Sequence, residues 1–307
     1  MFVNGFTDAP NAIVNCVATG CLSLKKAALM SAVFNLAGTA AGFLLTKKVA
    51  ATISGLVSLS SPAKTTIAVA ATLLAVIIWS VGAWRFGIPT SESHSLAAGL
   101  AGAAFALGGA SLRAFAWLKV FLGLFVSVTL SFLLGALINR VFSRFKLREK
   151  TYRRLQITAA AAMSFMHGAQ DGQKFLGLYF IVSVSASVSP NGDSFIPPVL
   201  TGLLMALGTA FGGGRIIEHI GKKMVKIKSR QGFYSDLASA VSLFVCTIWG
   251  LPVSTTHTKT TAIMGAGREK IDKNTAYGII LAWVLTFPCC FVLSYAIAFI
   301  IKGLRWA

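Results

Sequence analysis

Apolar segments about 20 residues long recur along the whole chain and constrain its fold more than any other feature. The hydrocarbon core of a bilayer is about 30 Å thick, so a helix needs about 20 apolar residues to cross it. Candidate crossings are residues 2–21, 27–45, 66–88, 114–139, 155–186, 196–214, 233–250 and 275–301. Only 12% of the residues are charged, whereas a soluble domain carries about 25%. The sequence therefore predicts an all-α integral membrane protein.

Two unrelated motifs each occur twice, with the copies 163 residues apart. NGFTDAPN at 4–11 corresponds to HGAQDGQK at 167–174, which aligns Asp8 with Asp171. GIPTSESH at 87–94 corresponds to GLPVSTTH at 250–257. One offset shared by two motifs indicates duplicated halves. We predict a first repeat at 1–139, whose first helix lacks the front part of its counterpart, a basic linker at 140–154, and a second repeat at 155–307.

The distribution of basic residues predicts how the halves are oriented. If the segments around residues 89 and 252 are tips of re-entrant hairpins, each half has three crossings and one hairpin, and the second half is inverted. The loops at 22–26, 140–154, 215–231 and 268–274 then share one face with 18 Lys and Arg, against 6 on the other. Because Lys and Arg concentrate in cytoplasmic loops, the net charge of +19 sets topology, and we expect no nucleic-acid partner.

Asp8 and Asp171 lie at membrane depth, three residues after a glycine in each copy of the first motif. A charge at the bilayer centre costs at least about 2.5 kcal/mol, so such a group faces a partner or a wet cavity. Glycine allows a helix to unwind and free carbonyls for a cation. We predict cation binding by Asp8, Asp171, Asn11, Thr7 and Gln170, with the two carboxylates as the metal ligands. A helix cap or a buried pair with a lysine is the alternative.

Hydroxyl side chains follow the proline in each copy of the second motif. These are Thr90, Ser91 and Ser93 in the first half and Ser254, Thr255 and Thr256 in the second. The first N–H groups of a helix are unpaired and attract anions, so hydroxyls at two such ends predict an anion site, unless they only cap the helices. We expect His94 and His257 to donate to backbone carbonyls. Arg85, Lys119, Asp236 and Lys259 have no charged counterpart in the other half, and no role is assigned to them.

These motifs together resemble the duplicated signatures of the inorganic phosphate transporter (PiT) family, most nearly its bacterial low-affinity type. The resemblance covers both halves in order, through residues 4–12, 167–174 and 252–257. It implies a symporter that imports inorganic phosphate across the cytoplasmic membrane by alternating access, an inverted-repeat fold with two re-entrant hairpins, and a homodimer. With the chemistry above, it implies phosphate binding by Asn11, Ser91, Ser93, Lys174, Ser254, Thr255 and Thr256.

Two positions depart from the symmetry of the repeat. Lys174 stands where the first half has Asn11, and Glu92 stands where the second half has Thr255. Lys174 is either the ion-pair partner of Asp171 or a group that faces the anion. It resembles the proton-coupled, metal-phosphate branch of the family, which leaves Na⁺ or H⁺ as the coupling ion.

Other classes of function remain as alternatives to phosphate symport. A sulfate or other oxyanion permease of the same fold is the first, although phosphate can donate hydrogen bonds to Asp8 and Asp171 and sulfate cannot. A passive channel fits a duplicated half-helix site less well than alternating access does. Ser91 near His94 has no residue to orient the histidine, so we expect no enzyme activity and no cofactor.

Overall fold

The computed structural model describes residues 1–86, 88, 90–108, 111–187, 195–212, 227–267 and 273–306. Its helices are α1 Phe2–Thr7, α2 Val14–Ala18, α3 Leu24–Leu45, α4 Lys48–Ser54, α5 Pro62–Arg85, α6 Glu92–Leu107, α7 Ala114–Phe142, α8 Glu149–Ser185, α9 Ile196–Phe211, α10 Ser229–Trp249, α11 Thr255–Ala266 and α12 Lys273–Trp306. A 3₁₀ helix, Ala9–Ala12, lies between α1 and α2. Two short strands, β1 Val57–Ser58 and β2 Ser111–Leu112, pair in antiparallel fashion.

Five of the described helices are long and apolar enough to cross a membrane. They are Leu24–Leu45, Pro62–Arg85, Ala114–Phe142, Ser229–Trp249 and Ile280–Leu304. Large apolar side chains such as Phe115, Phe125 and Val284 are exposed on them, as a lipid-facing surface requires. The predicted class of an all-α membrane protein agrees with this architecture.

The two copies of the aspartate motif adopt different backbones. In the first, α1 ends at Thr7 and a 3₁₀ helix begins with Pro10 in its first turn, because proline lacks an N–H and cannot continue the α-helix. In the second, α8 runs without a break from Glu149 to Ser185. The predicted unwinding is therefore wrong at Asp171, where no proline follows the carboxylate.

Gly168, three residues before Asp171, allows α8 to pack closely on another helix and does not unwind it. A Cβ atom on Gly168 would lie 2.1 Å from the carbonyl oxygen of Asn35 on α3, and one on Gly5 would lie 2.1 Å from that of Met205 on α9. Glycines on the partner side also approach a backbone carbonyl, with distances from an added Cβ of 1.9 Å at Gly38, 2.0 Å at Gly208, 2.3 Å at Gly212 and 2.9 Å at Gly42. The α1 helix therefore packs on α9, and α8 packs on α3, so each half's first helix contacts the other half.

The connection between α7 and α8 is shorter than the predicted basic linker at 140–154. The connection comprises residues 143–148, because α7 continues to Phe142 and α8 starts at Glu149. Most of the predicted loops at 215–231 and 268–274, together with Pro89 of the first tip, lie outside the described residues.

Candidate functional site

The starts of α6 and α11 are buried and contact each other. Ser91 caps α6 by accepting a hydrogen bond from the backbone N–H of His94, and Ser254 caps α11 in the same way for His257. The hydroxyl of Ser93 donates to the carbonyl of Val253 at 2.7 Å. The rings of His94 and His257 are 4.9 Å apart. The two hydroxyl-rich segments therefore form one polar centre, as their repetition predicts.

Asp8 is buried at the break between α1 and the 3₁₀ helix and joins the second hydroxyl segment to the first motif. Its carboxylate accepts hydrogen bonds from Asn11 Nδ2 at 2.7 Å, from Thr255 Oγ1 at 3.0 Å, and from Thr256 Oγ1. Asn11 Nδ2 also donates to Thr256 Oγ1 at 3.1 Å. Four predicted site residues thus form one network around a carboxylate that is 5% exposed.

Asp171 has a charged partner of its own on α8. Lys174 Nζ donates to Asp171 Oδ1 at 2.6 Å and to the carbonyl of Val253 at 2.7 Å. Asn4 Nδ2 donates to Asp171 Oδ2 at 2.9 Å. Lys174 is therefore the ion-pair partner of Asp171 in this structure, and it also holds α8 against the start of α11.

His167 lies between the two aspartates. Its Nε2 atom is 3.8 Å from Asp8 Oδ2 and 3.6 Å from Asp171 Oδ2, and one ligand atom from each of the three residues lies within 4.8 Å of the others. Asn35 Oδ1 is 3.0 Å from the other ring nitrogen. The three buried side chains could hold a metal ion, since carboxylates and imidazole are common ligands.

Three buried amide oxygens around this centre have no hydrogen-bond donor among the residues that the structure describes. They belong to Asn4, Asn11 and Gln170, whose amide nitrogens donate to Asp171, Asp8 and the carbonyl of Leu251. Buried polar atoms nearly always have a partner, so orphaned ones require an explanation such as an ion. Amide and carboxylate oxygens are the ligands that hard cations prefer.

Most predicted site residues lie in this centre, but some have other roles in the structure. The hydroxyl of Thr7 donates to the carbonyl of Val3 within its own helix, so its hydrogen is already in use. The expectation that His257 donates to a backbone carbonyl is wrong within the described residues, because neither of its ring nitrogens has a partner there, and Nδ1 of His94 has none either. Their rings instead pack with each other and with Trp283 and Phe287.

Several residues that contribute to the site were not selected from the sequence. Asn4 and His167 occupy corresponding positions in the repeated motif, and His167 lies one helical turn before Asp171, so helical spacing could have indicated it. Lys259 and Asp236 form a buried ion pair, to which Asn15 contributes a hydrogen bond of 2.6 Å. The repeat gave no signal for this pair, because neither charge has a counterpart in the other half.

Comparison with known proteins gives consistent matches over the whole chain. The model described as "Phosphate transporter family" matches residues 4–154 and 146–294. A protein of Bacillus subtilis (strain 168) named "Probable low-affinity inorganic phosphate transporter" is 33% identical, with 99% of this chain and 94% of the relative covered. A protein of the same name from Rhizobium meliloti (strain 1021) is 34% identical, with 95% and 90% covered.

One solved structure, "The sodium-dependent phosphate transporter", has the same fold. The TM-score is 0.87, and the match covers 98% of this chain and 96% of that one, at 20% identity. At this identity the likeness concerns the fold alone.

Proposed function

The chain belongs to the phosphate transporter family, and on that premise we propose that it is a cation-coupled symporter that imports inorganic phosphate by alternating access. As a member of this family it is a multi-pass membrane transporter and not an enzyme. The proposal adds the coupling, the direction of transport, the cytoplasmic membrane and the residues responsible.

The observation that carries the proposal is the set of orphaned oxygens beside two buried carboxylates. The amide nitrogens of Asn4 and Asn11 donate to Asp171 and Asp8, and the amide oxygens of Asn4, Asn11 and Gln170 have no partner among the described residues. An unpaired buried oxygen is costly, and a cation is a partner that such an oxygen can bind. We assign the cation to the region around these side chains, with Asp8 and Asp171 as its charged ligands.

Phosphate is assigned to the adjoining starts of α6 and α11. Ser91, Ser93, Ser254, Thr255 and Thr256 place five buried hydroxyls there, next to helix ends that attract anions. Asn11 and Lys174 lie between these hydroxyls and the two aspartates. A phosphate anion beside two carboxylates is repelled unless cations enter with it, and this repulsion is the physical basis of symport.

Two inverted repeats with re-entrant hairpins would bring these groups together. Helix α6 has 16 residues and α11 has 12, so at about 1.5 Å per residue they reach only about 24 and 18 Å, short of the bilayer core of about 30 Å. Thr72 of α5 packs on Gly99 of α6, which fits a hairpin. We propose the division at 1–139 and 155–307, and a homodimer, on the same basis.

The coupling ion is Na⁺ or H⁺, and phosphate could also enter as a neutral metal complex. A sulfate permease of the same fold is the competing proposal. It is less favoured because the buried acceptors of Asp8 and Asp171 suit an anion that can still donate hydrogen bonds.

Uptake of labelled phosphate into proteoliposomes tests the proposal. A sodium or a proton gradient should stimulate uptake, and a large excess of sulfate should leave it unchanged. The variant Asp8→Asn should lose the stimulation, whereas Glu149→Gln, which alters an exposed carboxylate at the start of α8, should behave as the parent does. Inhibition by sulfate as strong as by unlabelled phosphate would instead support the oxyanion permease.

A further inference from the structure

Glu92 is a buried carboxylate that has no assigned role in the proposed transport. It is the first residue of α6 and is 2% exposed. Within the part of the chain that the structure describes, its Oε1 atom accepts one hydrogen bond, from the hydroxyl of Ser80 at 3.1 Å, and its Oε2 atom has no hydrogen-bond partner. A buried ionised carboxylate normally needs a cation or several donors. A single hydroxyl donor does not meet that need.

Acidic groups lie near Glu92. They are Asp8 at the helix break, Asp171 on α8 and the thiol of Cys290 on α12. His94 follows two residues later on α6 itself, and His167 lies between the two aspartates. Lys174, the ammonium nearest the two aspartates, already donates to Asp171 and to a backbone carbonyl. A proton on Glu92 would remove the surplus negative charge.

The corresponding residue of the second half indicates what that proton would do. Thr255 occupies the position that Glu92 occupies in the first half, and its hydroxyl donates a hydrogen bond to Asp8. A protonated Glu92 also carries one O–H donor, whereas an ionised Glu92 carries none. Between Ser91 and Ser93, an ionised Glu92 would repel an anion at the start of α6, and a protonated one could donate to it.

We propose that Glu92 binds a proton that is taken up together with phosphate, so that its carboxylic acid serves as a pH-dependent replacement for the hydroxyl of Thr255. The proton joins Oε2 from the side on which phosphate enters and leaves to the side on which phosphate is released. The inference rests on the proposed function and adds one proton-binding residue to it.

Proton and phosphate movements in proteoliposomes test this inference. The variant Glu92→Gln carries a permanent donor, and we expect it to exchange labelled phosphate while it moves one proton fewer per phosphate. The parent's apparent phosphate affinity should fall by up to about tenfold per pH unit on the alkaline side, as a single linked proton requires, and Glu92→Gln should lose that dependence. Glu149→Gln is the matched control and should keep the pH dependence. Phosphate's own ionisation affects both variants equally, so the difference between them isolates the contribution of Glu92.

Infrared spectroscopy gives a readout that does not depend on a variant. The parent protein with phosphate bound should have the carbonyl band of a buried protonated carboxylic acid, and Glu92→Gln should lack it. Absence of the band in the parent would overturn the inference even if the variant does not fold.

Two other outcomes separate the inference from the proposed function. If the parent exchanges phosphate but Glu92→Gln keeps the proton count and the pH profile, only the role of Glu92 is overturned. If the parent exchanges no phosphate, the proposed function fails, and the inference fails with it.

Discussion

Hydroxyl groups at the start of α11 connect the carboxylate of Asp8 with the region assigned to phosphate. Thr255 and Thr256 both donate to Asp8, and a hydroxyl has only one hydrogen to donate. A hydroxyl that donates to Asp8 cannot also donate to an anion. A cation bound to Asp8 would neutralise the carboxylate and free the two hydroxyls to donate to phosphate, so cation binding should precede phosphate binding.

Removal of a hydroxyl from each hydroxyl segment should weaken phosphate binding without abolishing it. We expect Thr255→Ala and Ser91→Ala each to cost about 1 to 3 kcal/mol of binding free energy, the scale of charge-assisted hydrogen bonds. The backbone N–H groups remain in both variants. Isothermal titration calorimetry with phosphate measures the change. Thr66→Ala is the control, because Thr66 is exposed and donates only to Pro62 within α5. Unchanged affinity in both test variants would contradict the assignment.

Lys174 should determine whether a sodium ion is needed at Asp171. Its ammonium lies 2.6 Å from Asp171 Oδ1, so part of the positive charge that Asp171 requires is already present, and Asp171 should bind the cation more weakly than Asp8 does. In Lys174→Asn the carboxylate loses this partner, and we expect a new or stronger dependence of phosphate uptake on external sodium at fixed pH. If the parent already takes up two sodium ions per phosphate and the variant is unchanged, Lys174 has only a structural role.

Residues in the site differ in how well the sequence predicts them. Asp8 and Asp171 could be predicted from the sequence because a repeated charge at membrane depth is rare. Lys259 and Asp236 could not be predicted, since an ion pair between α10 and α11 depends on how those helices pack. The hydrogen bond from Lys174 to the carbonyl of Val253 could not be predicted either, because Val253 lies 79 residues further along the chain.

At the scale of helices, small residues rather than apolar periodicity determine the contacts between halves. Membrane helices gain no hydrophobic free energy from association in lipid, so close backbone approach at small residues supplies the packing. Gly5 and Gly168 occupy matching positions, and each lies on a backbone carbonyl of the other half. The sequence identified both as glycines of a motif, but it could not distinguish a packing role from an unwinding role.

A methyl group at Gly168 should separate α8 from α3. The added Cβ in Gly168→Ala would lie 2.1 Å from a backbone oxygen of Asn35, and a helix backbone cannot move as a side chain can. We expect a loss of about 1 to 3 kcal/mol of stability, as in overpacked cores. Thermal unfolding in detergent provides the measurement. Gly82→Ala is the control within α5, since nothing lies within 4 Å of its added Cβ. Equal melting temperatures for the two variants would contradict this account.

For the whole molecule, the order of helices could be predicted from the sequence more fully than their relative orientation. Of the eight predicted crossings, the one at residues 2–21 differs most, because Pro10 and Asp8 interrupt it. The inversion of the second half depends on whether α5–α6 and α10–α11 return to the face from which they enter. The basic loops and the short α6 and α11 favour this, whereas α5 and α10 are long enough to cross the membrane, so sidedness in a membrane is the test.

Cysteine labelling from each side of the membrane tests the inverted topology. In a background without the five native cysteines, Lys146→Cys and Lys228→Cys introduce thiols at exposed positions in the α7–α8 connection and just before α10. Residues 146 and 228 should share the cytoplasmic face, because the two predicted crossings α8 and α9 lie between them. Ser58→Cys, exposed on β1, should react only from the opposite side. With a hairpin at α5–α6, only α7 separates residue 58 from residue 146. If α5 crossed the membrane and α6 did not return, residues 58 and 146 would react from the same face, and the basic loops would no longer concentrate on one side.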